Sequence, residues 1–162
     1  MGALQWIEST RLSTAIREGA FLYPLLGGIH LLCIALFGGM MLATDLRLLG
    51  WAMQRRPVGN MIYGLRPWKR LGFLSITATG LLLAWGEPVR LYGSPSFWVK
   101  MILFGLVGVH AAIFRRPVYR SPEKLDAALT REAKLAGAVS LILWAGLIVT
   151  GRLIAFDASF EP

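Results

Sequence analysis

The sequence predicts an all-α integral membrane protein, a bundle of four transmembrane helices, on three observations. Hydrophobic residues make up 56% of the 162 residues and charged ones only 16%, with a mean hydropathy of +0.58. A soluble domain of this length carries less apolar and more charged material. The few charges are gathered between long apolar runs instead of being dispersed over a surface, which is the segregation a bilayer demands. Basic residues, finally, alternate in density from one connection to the next.

The first span is expected at residues 21–44, a run with no charged side chain; at 1.5 Å per residue it covers about 36 Å, enough to cross a hydrocarbon core of about 30 Å. Pro24 falls in its first turn, where a missing N–H costs little. The second is expected at 68–86, opened by Pro67 and bracketed by Trp68 and Trp85 at the two interfaces. The third runs over 96–114 from the Ser94–Pro95 start to Arg115–Arg116–Pro117, with Lys100 about one turn in and able to snorkel. The fourth is expected at 135–155, after an amphipathic stub that begins at Ser121–Pro122–Glu123 and includes Leu125, Ala128 and Leu129. Residues 1–18 place Leu4, Ile7, Leu12, Ala15 and Ile16 near one face at helical spacing, predicting a short interfacial helix lying on the bilayer. The whole chain, 1–162, reads as one domain. No basic stretch precedes a cleavage site, so no signal peptide is expected.

Orientation follows from the arginines and lysines. Twelve of the 17 basic residues lie between spans one and two or between spans three and four, against Arg11, Arg17, Arg90, Lys100 and Arg152 on the other side. The positive-inside rule then makes those two connections cytoplasmic and both termini periplasmic, in a bacterial inner membrane. The same bias accounts for the net charge of +8. The basic residues flank spans and face anionic headgroups, so nucleic acid is not an expected partner; the lipid bilayer is. A membrane redox partner or a second copy of the chain are further candidates. The lone Cys33 forbids an internal disulfide.

Chemistry has few places to reside. No phosphate-binding loop, dinucleotide fingerprint, nucleophile elbow or paired CxxC occurs, and no catalytic residue is assigned. The two histidines, His30 and His110, both fall inside expected spans. An imidazole in hydrocarbon needs a hydrogen-bonding neighbour, a metal, a haem iron or a proton path. Spans one and three run in the same direction, so His30 and His110 can serve as the axial ligands of a haem b in an electron-transfer protein. Lys100, Arg90 and Arg17 stand near the periplasmic side to meet the propionates, and Gly27, one turn from His30, leaves room for a flat macrocycle. Copper is the alternative metal, since His30 and Cys33 share one helical stripe. The non-metal alternative is a hydrogen bond across helices from each histidine, with Gly38, Gly39 and Gly80 permitting close packing, in a scaffold or accessory subunit. Asp45 and Arg47 read as an interfacial ion pair, and Thr77, Thr79, Ser140 and Thr150 as side chains bonding back to their own helices.

The stretch from Arg66 to Phe114, with its Pro-Trp opening, Thr-Gly-Leu-Leu centre, and aromatic-x-x-Lys start to the third span, resembles a family of bacterial four-span inner-membrane proteins of unknown function. The first span, with a histidine, a small-residue patch and a terminal Asp-Leu-Arg, fits the same family. A histidine in the first span with a lysine in the third is also distantly similar to the copper-resistance D domain and to HemJ-type membrane haem proteins. That similarity implies a haem, with His30 as the helix-one histidine and Lys100 as the helix-three lysine. The full pattern of the HemJ oxidase is absent, and oxidase activity is not implied.

Overall fold

The computed structural model describes residues 2–157, all of them in helices, turns or irregular connections; residue 1 and residues 158–162 of the expected single domain lie outside the described residues. Two short helices, α1 (Ala3–Glu8) and α2 (Arg11–Glu18), lead into α3 (Leu22–Leu49). The chain returns through α4 (Val58–Gly86), turns through α5 (Pro88–Gly93), and descends again in α6 (Pro95–Phe114). A π-helical turn at Arg115–Tyr119 and a 3-10 turn at Pro122–Leu125 then lead to α7 (Arg131–Asp157). Leu22–Leu49, Pro95–Tyr119 and Arg131–Asp157 are long and apolar enough to cross a membrane, which is compatible with a multi-pass membrane protein. Their outward faces are lined with exposed leucine, isoleucine and valine such as Leu31, Leu36, Ile102 and Ile142, the arrangement lipid requires and water opposes.

Each element has a local cause. Gly50, at φ +78°, adopts the left-handed conformation that ends α3, and its N–H returns to the Arg47 carbonyl at 3.1 Å. Helix α6 starts with Ser94 accepting from the Phe97 N–H and Pro95 at its first position. Helix α7 is capped by Thr130, whose hydroxyl accepts from the Ala133 N–H at 3.3 Å. The cap therefore falls at Thr130, and the stretch expected to form a helical stub is a 3-10 turn followed by irregular chain.

Two elements depart from the sequence reading. Pro67 does not open the second long helix. Helix α4 begins more than two turns earlier, at Val58, and runs through the proline. The reason lies in its first turn, where the Asp126 carboxylate accepts hydrogen bonds from the Val58 and Gly59 N–H groups. Val58 and Ile62 are also buried there with Leu48, Val118, Leu125, Ala133 and Ala136. Packing and a cap outweigh the one backbone bond that proline removes. The N-terminal segment, in turn, is not one helix lying flat. It breaks at Ser9–Thr10, where the Thr10 hydroxyl caps α2. Helix α2 folds over the ends of α3 and α4: Ser13 Oγ donates to the Gly86 carbonyl at 3.1 Å, and Ile16 is buried against Gly86.

The long helices pack α4 on α3, α3 on α7, and α7 on α6. Glycines set the closest approaches. A Cβ on Gly72 would lie 2.9 Å from the Phe37 ring, and one on Gly137 would lie 2.8 Å from the Asp45 carbonyl oxygen. Phe37 meets Trp144 edge-on at 5.1 Å, and Phe73 of α4 stacks on Phe104 of α6 at 5.6 Å. The buried apolar cluster sits at the end of the bundle that carries most of the basic residues, hereafter the basic end, where Arg66 Nη2 donates to the Tyr119 carbonyl at 2.7 Å.

Candidate functional site

Near the opposite end, polar side chains of α3, α4 and α6 gather beside a glycine of α7. His30 of α3 reaches Thr79 of α4, with Nδ1 2.7 Å from Oγ1. The Thr79 hydroxyl proton is already engaged, donating to the Ser75 carbonyl at 2.7 Å. Its oxygen can therefore only accept, so the network assigns the ring proton of His30 to Nδ1. Nε2 is left as a bare lone pair. A neighbour that fixes one ring nitrogen by hydrogen bonding is the arrangement that presents the other to a metal. Gly80 lets the ring in; a Cβ there would sit 3.2 Å from His30 Cε1.

Lys100 of α6 lies within Coulombic reach of the same ring, its Nζ 3.3 Å from where Gly151 of α7 would carry a Cβ. The register of the stacked Phe73–Phe104 pair places Thr77 and Lys100 one turn further toward this end on their respective helices. The Thr77 hydroxyl oxygen is buried with no protein partner. Gly27, one turn from His30, has nothing within 4 Å of its Cβ position, so the stripe beside the ring is open. Thr79 does bond back to its own helix, as its residue type suggests, but it holds His30 with the same oxygen. Residue type alone predicts only the first half of that arrangement.

His110 is elsewhere. Its ring is buried at 7% exposure, Nε2 donates to the Ala136 carbonyl of α7 at 3.0 Å, and Phe114 packs on it at 4.9 Å. Ala136 adjoins Gly137, which meets α3 at Asp45. From Asp45 to His30 is fifteen residues of continuous helix, or about 22 Å. The two imidazoles thus occupy opposite ends of the bundle, and the geometry does not bring them together on one iron. Arg90 stands on α5, with Nη1 2.7 Å from Glu87 Oε2, so its charge is matched there. Cys33 is a partly buried free thiol. Among the described residues no three His, Cys, Asp or Glu side chains gather in one place, so His30 and Cys33 find no third protein ligand of those types for copper. Asp45 and Arg47 do not pair either: Asp45 is fully buried and accepts from Ser140 of α7, while Arg47 Nε donates to the Arg56 carbonyl at 2.8 Å. Two residues apart on α3, they lie on different faces of the helix and meet different neighbours.

The span of this architecture coincides with a known sequence family. The chain belongs to a family of unknown function (DUF6644), matched over residues 3–157. The match takes in α1 through α7, so the N-terminal helices belong to the family's unit together with the bundle. No curated protein and no solved structure matches the chain.

Proposed function

We propose that the protein is a four-span bacterial inner-membrane protein that binds haem b through His30 and serves electron transfer, alone or beside a membrane redox partner. The observation that carries this reading is the His30–Thr79 pair: Nδ1–H is donated to a fixed oxygen, and Nε2 is left free within a bundle. His30 would hold the haem through Nε2, since neutral imidazole is a good ligand for its iron. The open stripe at Gly27 and the glycine at position 80 leave space beside the ring. Lys100, within reach of His30, supplies the cation that a propionate needs in a poorly solvated place. A helix-one histidine near a helix-three lysine is also the pairing implied by the distant similarity to HemJ-type proteins.

The fourth span in this reading is residues 68–86 of α4, whose N-terminal part, with Arg66, Lys69 and Arg70 at its edge, stands in the headgroup zone. The basic end is cytoplasmic by the positive-inside rule, which puts His30 and Lys100 in the periplasmic half. A haem held there would supply a one-electron couple. The chain's own contribution is to fix the ring orientation through Thr79, hold charge through Lys100, and exclude water with the apolar walls of α3 and α6. His110, engaged with Ala136, acts in helix packing.

The test is the absorption spectrum of protein purified in detergent after haem-sufficient expression. A Soret band is expected, lost in His30→Ala and kept in His110→Ala. A wild-type protein without the band, or a band that survives His30→Ala, overturns the reading.

A further inference from the structure

A second polar cluster, at the basic end, is not used by the haem reading. Asp45 has no exposed surface. Its Oδ2 accepts from Ser140 Oγ at 2.6 Å, and its Oδ1 is buried with no hydrogen-bond partner. The adjacent Thr44 accepts at Oγ1 from Lys69 Nζ at 2.6 Å and passes its own proton to the Met40 carbonyl at 2.9 Å. Lys69 is thereby held within Coulombic reach of Asp45, yet the two form no contact ion pair; the ion pairs among the described residues are Arg17 with Glu8 and Glu18, and Arg90 with Glu87.

Tyr119, on the π-helical turn, is within Coulombic reach of Asp45, but its hydroxyl makes no hydrogen bond to the carboxylate; its carbonyl accepts from Arg66 Nη2. On α3 itself Arg47 is turned to the Arg56 carbonyl, on α6 His110 is bonded to the Ala136 carbonyl, and α7 offers only the Ser140 hydroxyl. A carboxylate oxygen so placed has neither a donor nor a contact cation. An intramembrane carboxyl in that condition must find a proton or an ion. A proton on Oδ1 makes the group neutral while Oδ2 goes on accepting from Ser140. Lys69, half-buried between the headgroup zone and Thr44, is the charged side chain through which the basic end approaches the carboxyl.

We propose that Asp45 is a proton-binding site of the bundle, loaded from the basic end past Lys69. In the loading step a proton from water at that end forms an O–H bond at Oδ1, turning the carboxylate into a neutral acid; unloading returns the proton by the same route. No other bond changes. The inference is independent of the haem, because it concerns the other end of the bundle and is read in protein without cofactor.

Infrared difference spectroscopy of the full chain in lipid nanodiscs, taken between about pH 9 and about pH 5, tests it. The expected result is a carboxylic-acid C=O stretch that appears on acidification, moves down in deuterium oxide, and is lost in Asp45→Asn. Ser140→Ala should retain the band and move it to higher wavenumber, because the carbonyl loses its donor; this variant keeps the test sound if Asp45→Asn does not fold. Lys69→Met should change the pH at which the band appears. No titrating carboxylic-acid band, or one that is indifferent both to Asp45→Asn and to Ser140→Ala, overturns the proposal.

Discussion

Substituting Gly137 by alanine tests how tightly α3 and α7 are joined. The new Cβ would lie 2.8 Å from the Asp45 carbonyl oxygen, 3.3 Å from Leu48 Cβ and 3.4 Å from Leu49 Cγ. The first of these is backbone of the closing turns of α3, held among buried neighbours, and cannot swing aside. A comfortable carbon-to-carbonyl separation is about 3.3 Å or more, so the helices must part by about half an ångström along the seam. Forcing a methyl into a packed contact costs about 1–3 kcal/mol, while alanine regains about 1 kcal/mol of helix propensity over glycine. The net expectation is a loss of up to about 2 kcal/mol. Gly146 is the control on the same helix. There a Cβ would meet only the Leu103 side-chain tip at 3.1 Å, a flexible end that can rotate away, so Gly146→Ala should be neutral or stabilising by up to about 1 kcal/mol. Reversible unfolding in mixed micelles, with denaturing detergent as titrant, measures both variants under one condition. Gly137→Ala should fall below Gly146→Ala by about 1–3 kcal/mol. Equal stability would show that the two helices do not approach as closely at Asp45 as described.

Three further predictions follow from single contacts. Thr79→Val keeps the shape of the residue and removes the acceptor for His30 Nδ1; haem affinity should fall about 10–100-fold, read by haem titration, and unchanged affinity would separate Thr79 from the ligand's orientation. Asp126→Ala removes the cap shared by the Val58 and Gly59 N–H groups and should cost about 0.5–2 kcal/mol, measured in the same micelle titration; a neutral result would mean the start of α4 is held by packing alone. The Glu123 carboxyl is held below the usual carboxylate range by its own backbone N–H and by the Tyr63 hydroxyl, which donates at 2.8 Å. A depressed folded-state value stabilises the fold above the unfolded value of about 4.3, and the contribution disappears as pH falls through the folded-state value. Tyr63→Phe should therefore raise the Glu123 midpoint in a carbon-13 NMR titration, and an unmoved midpoint would remove the hydroxyl from that account.

The fold was legible wherever apolar length alone decides the outcome. The expected spans at 21–44, 96–114 and 135–155 coincide with α3, α6 and α7 but for residue 21, and α3 and α7 continue toward the basic end. The extensions have one cause. Past the expected span ends, Asp45, Arg47 and Leu48 of α3 and Ala133 of α7 stay helical because they are buried among the neighbouring helices and the connection at 115–125. Hydropathy has no means of registering a polar residue kept helical by a neighbour remote in sequence. Pro67 misled for the same reason: its local preference is to start a helix, and that preference yields to the Asp126 cap and to the burial of Val58 and Ile62.

The site was half legible. Residue type alone marks His30 and Lys100 as expensive in a membrane, and the register of parallel helices brings them to one end. Counted from the expected helix starts at 21 and 96, His30 lies about 13 Å and His110 about 21 Å into the membrane, a difference of one to two turns; in the bundle they are about 22 Å apart along the axis. The error comes from what the count omits. It fixes each residue against its own helix start and says nothing about how far each helix is displaced by packing, whereas Gly137 against Asp45 pins α7 to α3 directly. Once that contact and the His110–Ala136 hydrogen bond are known, His110 must lie near the level of Asp45, at the end opposite His30. Two buried histidines on parallel helices therefore do not by themselves imply a shared iron; the glycine contacts that set the offset between helices decide whether the rings can meet.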